Sequence, residues 1–303
     1  MTLNCVWSET SLDPDNRSHY GMATLVNNSL DKAELGFVHR NGFKQLPADV
    51  DGAVVIIHGS HQLTDVDAVV GDILRLKWSV SIVICDEEGV FPINRLTGLR
   101  RKVWIQMPIP KVHDIADRRL ICGYPNDAPV YLQHCQKEMK ERPLNWFYSG
   151  QVNHQRRREC IAQLKMTNHG FLFESPTFWG GLPRDEYYQK LASCKVAPCP
   201  SGAATPDTFR VWESLEAGCV PVVEDKWPPF FPRLGGYGQT GYWKLVLGED
   251  PPFPVLTDWR DWPALIDQSL RDWPVNRDRL QEWWKGYKAK MTRWLEEDVN
   301  AVR

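Results

Sequence analysis

Short unbroken runs of apolar residues constrain the fold of this chain more than any other feature. Ala53–Ile57 and Val80–Cys85 each end at polar or glycine residues, and Val66–Leu76 between them has the spacing of an amphipathic helix. A third run, Lys102–Gln106, ends in a proline-rich turn. Strands without polar alternation are usually covered by helices on both faces, as in parallel sheets. The first half therefore predicts a parallel α/β unit with right-handed crossovers.

The same alternation restarts near residue 142. Its predicted strands and helices, in chain order, are Leu144–Tyr148, His154–Leu164, Gly170–Phe173, Arg184–Ser193, Lys195–Cys199, Thr208–Ala217 and Val220–Val223. In the tail, Asn276–Val299 places its apolar residues on one helical face. We therefore predict two α/β units, with a boundary between 135 and 145, and a long amphipathic terminal helix.

Composition narrows the class of protein. With 43% hydrophobic and 24% charged residues, the chain is typical of folded globular proteins. A net charge of −2 argues against broad adhesion to nucleic acid or to anionic membranes. No apolar run is long enough to span a bilayer, and the first residues lack the pattern of a signal peptide. A cytoplasmic protein is the expectation, and no oligomeric state is assigned.

The eight cysteines show no CxxC spacing. Cys194 and Cys199 lack a second pair or clustered histidines, so no metal site is predicted. Cys85, Cys199 and Cys219 lie beside strand-like runs, where a free cysteine behaves as a small buried hydrophobe. We interpret the cysteines as reduced thiols in a core.

The segment from Cys194 to Val222 carries the chemistry. It predicts a strand, a loop of small residues at Pro200–Pro206, a helix and another strand. Asp207 or Thr208 can cap the helix, whose exposed first amides suit a diphosphate. Arg210 can bind a phosphate through two hydrogen bonds, and Glu213 can accept from ribose hydroxyls. The alternative is that these two side chains form only an ion pair on one helix face.

This segment resembles the nucleotide-sugar-binding segment of the exostosin-like glycosyltransferases, family 47. The resemblance rests on CPSG, then R-x-x-E, then AGCVPVV. Phe147–Gly150 with Arg156–Arg158, and Pro252–Trp259, resemble the flanking parts of that family. The resemblance to this family covers roughly residues 144–275. Because the chain shows no membrane anchor, a bacterial or viral member is the better match.

The resemblance implies the GT-B architecture: two Rossmann-like domains facing a central cleft, with a C-terminal helix crossing back. The domains expected are 1–140 on the acceptor side, 141–275 binding the nucleotide sugar, and 276–303 as the helix that packs on the N-terminal domain. The donor-binding residues expected are Ser149, Gly150, Arg156, Ser201, Gly202, Thr208, Arg210 and Glu213.

Two departures from the family pattern bear on mechanism. The spacing from Gly202 to Arg210 is about one residue longer than in the plant-type pattern. Some retaining enzymes carry a second glutamate seven residues before the one that Glu213 matches, and here Thr205 or Pro206 stands in its place. The longer loop implies that it holds the phosphate differently, and the missing glutamate favours an inverting transfer. The GT-B architecture requires no metal and no cofactor beyond the nucleotide sugar, a UDP-sugar in the leading interpretation.

An inverting transfer needs a general base to take the proton of the acceptor hydroxyl. Asp86 and Glu87 follow a predicted strand, and His58 follows another, at the edge where parallel sheets bind ligands. These three are the catalytic candidates. The alternatives are that Asp86–Gly89 is a solvated turn and that a lone histidine is structural.

The acceptor stays open between a saccharide and a hydroxymethylated base in viral DNA. A basic cluster in the first half would serve DNA: Arg95, Arg100, Arg101, Lys102, Arg118 and Arg119. Such clusters are usually solvated, and the saccharide is preferred. A non-catalytic nucleotide- or sugar-binding protein is the alternative function. A nucleotide-sugar epimerase is disfavoured because no GxGxxG motif follows a first strand.

Overall fold

The computed structural model describes residues 3–8, 24–58, 65–84, 86, 89–125, 127–138, 142–177, 180–226 and 240–303. The strands are β1 Leu3–Trp7, β2 Phe37–Asn41, β3 Gly52–His58, β4 Trp78–Ile84, β5 Arg101–Gln106, β6 Arg118–Leu120, β7 Leu144–Gln151, β8 Gly170–Ser175, β9 Cys194–Cys199, β10 Val220–Glu224 and β11 Val255–Leu256. The helices are α1 Thr24–Lys32, α2 Val66–Arg75, α3 Ala128–Glu138, α4 Gln155–Leu164, α5 Arg184–Ser193, α6 Phe209–Glu216, α7 Tyr242–Leu247, α8 Trp262–Arg271 and α9 Trp273–Val302.

The chain forms two compact units. Unit 1 comprises Met1–Asn126, Arg233–Gly235 and Gly286–Arg303, and unit 2 comprises Asp127–Pro232 and Gly236–Lys285. Helix α9 therefore contributes its first half to unit 2 and its second half to unit 1. The fold class is the predicted one: each unit is a parallel sheet with interleaved helices, as in the Rossmann-like domains of GT-B proteins.

The sheet of unit 1 has the strand order β2-β1-β3-β4-β5-β6, with every neighbouring pair parallel. Val55 and Ile57 of β3 pack with Ile73 of α2 in the apolar core, all fully buried. The strand order reverses between β1 and β3, because β2 lies on one side of β1 and the later strands lie on the other. Ligand crevices form at such reversals, outside the carboxyl ends of the strands. His58 ends β3 beside this point.

The second half of α9 is tied to the sheet of unit 1 by polar contacts. Trp104 of β5 donates its indole N–H to a carboxylate oxygen of Asp298 at 2.8 Å. Arg118 of β6 donates to both oxygens of Asp298, each at 3.1 Å, and its guanidinium lies 5.0 Å from the ring centroid of Trp294. A buried carboxylate with several donors stabilises this attachment.

The sheet of unit 2 has the order β11-β10-β9-β7-β8, again parallel throughout. Its strand order reverses between β7 and β9. Beneath α6, Trp212 stacks on Trp284 at 5.4 Å and meets Trp243 edge-on at 6.0 Å. These tryptophans are core residues, so they fix α6 on the sheet and direct its first turn to the edge where the reversal lies.

The cysteines that the structure describes are buried, as interpreted from the sequence; they are Cys5, Cys122, Cys135, Cys160, Cys194, Cys199 and Cys219. Cys85 lies outside the described residues. Of the helices in the described part of the chain, each is too short or too polar to cross a bilayer.

Candidate functional site

A cleft of about 230 Å³ opens at the carboxyl edge of the sheet of unit 2. Three strand-to-helix connections contribute to it: β7 to α4, β8 to α5, and β9 to α6. The lining residues are Ser149, Gly150, Gln151, Arg157, Ser175, Gly181, Leu182, Tyr187, Thr208, Phe209, Arg210 and Glu213. The cleft thus lies at the reversal of strand order, where parallel α/β sheets bind ligands.

The connection from β9 to α6 is built to leave the start of α6 open. Thr208 is the N-cap residue, and its side chain makes no capping hydrogen bond. Its hydroxyl is buried and has no hydrogen-bond partner among the described residues. Asp207 instead turns under the helix and accepts from the Trp212 indole at 2.6 Å and from the Tyr242 hydroxyl at 3.3 Å. The first amides of α6 and the Thr208 hydroxyl are therefore available to an anion in the cleft.

Arg210 is held in the cleft by the end of β7. Its guanidinium lies 4.4 Å from the ring centroid of Tyr148 and donates to the backbone oxygen of Ser149. A β-carbon at position 150 would lie 2.6 Å from Nη2 of Arg210. Gly150 is therefore needed because the guanidinium occupies the space that a side chain would take.

Glu213 lies one turn further along α6 and is 6% exposed. Its two carboxylate oxygens accept from the hydroxyls of Tyr187 at 2.7 Å and Tyr188 at 2.8 Å. Burial raises the pKa of Glu213, and the two tyrosine hydrogen bonds and Arg210 oppose that rise. Burial and the Glu213 charge raise the pKa of Tyr187 well above its ordinary value, so this phenol stays protonated and donates.

The arginine of α4 that enters the cleft is Arg157. Its guanidinium donates to the backbone oxygens of Ser201 at 3.3 Å and Gln151 at 3.4 Å. Arg156, predicted from the sequence as a donor ligand, points away from the cleft. It forms ion pairs with Glu224 of β10, which is fully buried, and with Glu159. Arg156 and Arg157 differ in this way because consecutive helical residues point about 100° apart.

Two guanidinium groups, those of Arg157 and Arg210, meet in this cleft. Neither is ion-paired with a carboxylate among the residues that the structure describes. Burial lowers the pKa of Arg157, and the nearby Arg210 lowers it further. Buried or partly buried cations without a carboxylate partner are costly, so this arrangement favours an anionic ligand.

Five of the eight predicted donor residues line the cleft: Ser149, Gly150, Thr208, Arg210 and Glu213. Ser201 and Gly202 lie behind the lining. The amide of Ser201 donates to Glu224 at 3.2 Å, while its carbonyl receives Arg157. A β-carbon on Gly202 would lie 2.8 Å from the backbone oxygen of Asp207, so glycine allows the loop to fold tightly. These two residues shape the site rather than face it.

Four further residues line the cleft that were not predicted from the sequence: Gln151, Ser175, Leu182 and Tyr187. Gln151 and Ser175 end β7 and β8, so the rule that ligands meet strand ends was the signal available for them. Tyr187 and Tyr188 lie near the start of α5, in a stretch without a recognisable sequence motif. Only the packing of α5 against β7 brings their hydroxyls to Glu213.

The catalytic candidates lie in unit 1. Asp86 is fully buried; its carboxylate accepts from the amides of Val90 at 2.9 Å and Phe91 at 3.2 Å, and meets Nε2 of His113 at 3.0 Å. Since Nδ1 of His113 accepts from the Ile109 amide, Nε2 is the ring nitrogen that donates to Asp86. The geometry is that of a carboxylate that organises two loops.

The other two catalytic candidates are Glu87 and His58. Glu87 lies outside the described residues. His58 is half-buried at the carboxyl end of β3, beside the reversal of strand order in unit 1. It stays a prediction as the general base.

The basic cluster considered for DNA is engaged in contacts within unit 1. Arg95 pairs with Asp67, Lys102 with Asp117, and Arg118 with Asp298 and Glu297. Arg100, Arg101 and Arg119 donate to backbone oxygens. These contacts hold the side chains in place and offset part of the charge that DNA would need.

No group of three or more potential metal ligands occurs among the residues described here.

Comparison with known proteins places these features in a family. Residues 129–300, more than half of the chain, match the family described as the RXYLT1 C-terminal domain, and this range contains the whole cleft. Ribitol-5-phosphate xylosyltransferase 1 of Danio rerio is 24% identical over 287 residues, covering 84% of this chain. The chain spans 64% of the length of that relative. This chain belongs to the RXYLT1 C-terminal-domain family.

Proposed function

We propose that this chain is a glycosyltransferase that moves a sugar from a nucleoside-diphosphate donor to an acceptor hydroxyl. The observation that carries the proposal is the pair of guanidinium groups, Arg157 and Arg210, which have no carboxylate partner among the described residues and lie beside the open first turn of α6. Membership in a family named after a xylosyltransferase supports the same reaction class.

The cleft suits a leaving nucleoside diphosphate. In the proposed step, the acceptor oxygen forms a bond to the anomeric carbon, the bond from that carbon to the β-phosphate oxygen breaks, and the acceptor proton passes to a base. Negative charge then grows on the diphosphate. Arg157, Arg210, the first amides of α6 and the Thr208 hydroxyl are the groups that stabilise it.

The ribose of the donor is proposed to bind Glu213. Each oxygen of this carboxylate accepts one tyrosine hydrogen bond and retains capacity for another. The two neighbouring hydroxyls of a ribose can each donate to one of these carboxylate oxygens. A uridine nucleotide is the donor to test first. Inversion at the anomeric carbon is proposed because Thr205 or Pro206 replaces the glutamate of retaining enzymes.

For the transferred sugar and the acceptor, the name of the relative guides the proposal. It suggests a pentose, xylose, and an acceptor hydroxyl on a phosphorylated alditol. A saccharide-type acceptor also agrees with the ion pairs of unit 1. There, aspartate side chains offset the positive charge of basic residues that a DNA acceptor would require.

The test begins with binding of UDP, GDP and ADP, measured by thermal shift and calorimetry on the wild type and Arg210→Ala. Arg158→Ala is the matched control, since Arg158 is exposed on α4 and its guanidinium donates to Gln155. We expect UDP to raise the melting temperature of the wild type and the control, and to bind Arg210→Ala at least tenfold more weakly.

Turnover is then measured with UDP-xylose and UDP-glucose on a ribitol-phosphate acceptor, by release of UDP and by the anomeric configuration of the product. Failure of the wild type to bind any of the three nucleotides would remove the proposal. Binding without transfer to any acceptor would instead support the second function, a non-catalytic nucleotide-binding protein.

A further inference from the structure

Arg210 and Glu213 stand three residues apart on α6, a spacing at which oppositely charged side chains normally pair. In this structure they do not. Arg210 donates to the backbone of Ser149, and both oxygens of Glu213 are taken by tyrosine hydroxyls. The separation has to be maintained, because a buried cation and a buried carboxylate one helical turn apart attract each other strongly.

The two tyrosines are themselves fixed by aromatic contacts. The ring of Tyr188 stacks on Tyr131 with centroids 5.5 Å apart. Tyr187 meets Phe147 edge-on at 5.4 Å and Tyr188 edge-on at 5.1 Å. Their hydroxyls therefore approach Glu213 from rings with restricted orientation, on α5 and not on the helix that carries Arg210.

We propose that Tyr187 and Tyr188 are positioning residues that hold Glu213 away from Arg210 and so keep the Arg210 charge available for the diphosphate of the donor. The inference rests on the proposed function. When the tyrosine hydroxyls are removed, the buried carboxylate needs another donor, and the guanidinium one turn away supplies it. The diphosphate then has to compete with Glu213 for Arg210.

The test is a double-mutant cycle. Tyr187→Phe and Tyr188→Phe, singly and together, are made in the wild type and in Glu213→Gln, whose neutral amide cannot neutralise Arg210. Binding of UDP and of inorganic pyrophosphate is measured by calorimetry, and pyrophosphate reports on the diphosphate groups without the ribose. Tyr131→Phe removes a hydroxyl from the stacked neighbour and is the control.

The tyrosine variants are expected to raise the Kd of both probes at least tenfold when Glu213 is present, and less than threefold in the Glu213→Gln background. Equal losses in both backgrounds would mean that the tyrosines act independently of Glu213, through folding or by contacting the ligand, which overturns the inference. Unchanged binding in the wild-type background overturns it as well.

Tyr187→Phe alone suffices for the cycle if the double variant does not fold, because Tyr187 is only half-buried. A wild type that binds neither probe would contradict the proposed function itself. The inference alone fails when the wild type binds both probes and the cycle shows no coupling.

Discussion

The guanidinium of Arg157 donates to the backbone oxygen of Ser201 across 3.3 Å, and so joins the first turn of α4 to the loop that follows β9. One side chain thereby supplies charge to the cleft and fixes the loop that leads to α6. Its neighbour Arg156 does neither, because it is paired with Glu224.

Replacement of Arg157 is expected to weaken the donor site more than it destabilises the fold. Arg157→Gln should raise the Kd for UDP by about 10- to 100-fold, since one charge-assisted contact to the diphosphate contributes about 1.5–3 kcal/mol. Arg158→Gln on the exposed face of α4 should bind as the wild type does. Calorimetry on the two variants measures the difference, and equal affinities would show that Arg157 does not contact the ligand.

A side chain at position 150 should displace Arg210. In Gly150→Ala, the β-carbon would lie 2.6 Å from the guanidinium and 3.1 Å from the Tyr148 hydroxyl. We expect UDP affinity to fall at least tenfold while the protein stays folded. Gly71→Ala is the matched control, because Gly71 lies within α2 and a β-carbon there would meet open space; alanine should stabilise the helix by up to about 1 kcal/mol. Normal UDP binding by Gly150→Ala would contradict this account of Arg210.

Stability should decline in mild acid because of His154. Burial and the neighbouring Arg157 lower the pKa of this histidine to about 4, against about 6.5 in the unfolded chain. Between these values the unfolded chain binds a proton that the native state does not, so stability is lost as pH falls from about 6.5 towards 4. Urea unfolding at a series of pH values should show a shallower decline for His154→Gln. Parallel curves for the variant and the wild type would exclude this histidine as the source.

Replacement of Asp86 is expected to lower the free energy of unfolding, whether or not this residue takes part in the reaction. Removal of its carboxylate in Asp86→Ala leaves three donors without their acceptor, and each buried donor left unsatisfied costs about 1–3 kcal/mol. Asp51→Ala, which removes an exposed partner of Lys77, should cost less than about 1 kcal/mol. Denaturant unfolding measures both. A folded Asp86 variant of normal stability that binds UDP without turnover would instead make Asp86 the general base.

The fold was predictable wherever packing on both sheet faces makes a strand apolar throughout. Ala53–Ile57 lies within β3, and the predicted helix Arg184–Ser193 has the bounds of α5. The edge strand β2, Phe37–Asn41, was missed because it is half-buried along its length and carries His39 and Arg40. Likewise β6, Arg118–Leu120, is too short and basic to show a strand pattern.

The site was predictable to the extent that it is local in sequence. Arg210 and Glu213 follow a loop of small residues and precede an apolar strand, so their place at the start of a helix was evident. The choice between Arg156 and Arg157 was not, because α4 has a polar sequence with no apolar periodicity to fix its rotation. The contact of Tyr188 with Glu213 depends on tertiary packing alone.

The bonds from Trp104 and Arg118 to Asp298 have a consequence for the order in which the chain acquires structure during translation. Residues 286–303 are translated after both sheets, although they belong to the same unit as residues 1–126. Every residue that lines the cleft has been made by Glu213, and unit 2 ends at Lys285. Unit 1, whose sheet is translated first, therefore lacks its last helical segment until both sheets have been made. The indole of Trp104 and the guanidinium of Arg118 lack Asp298 until then, while unit 2 can complete its fold earlier.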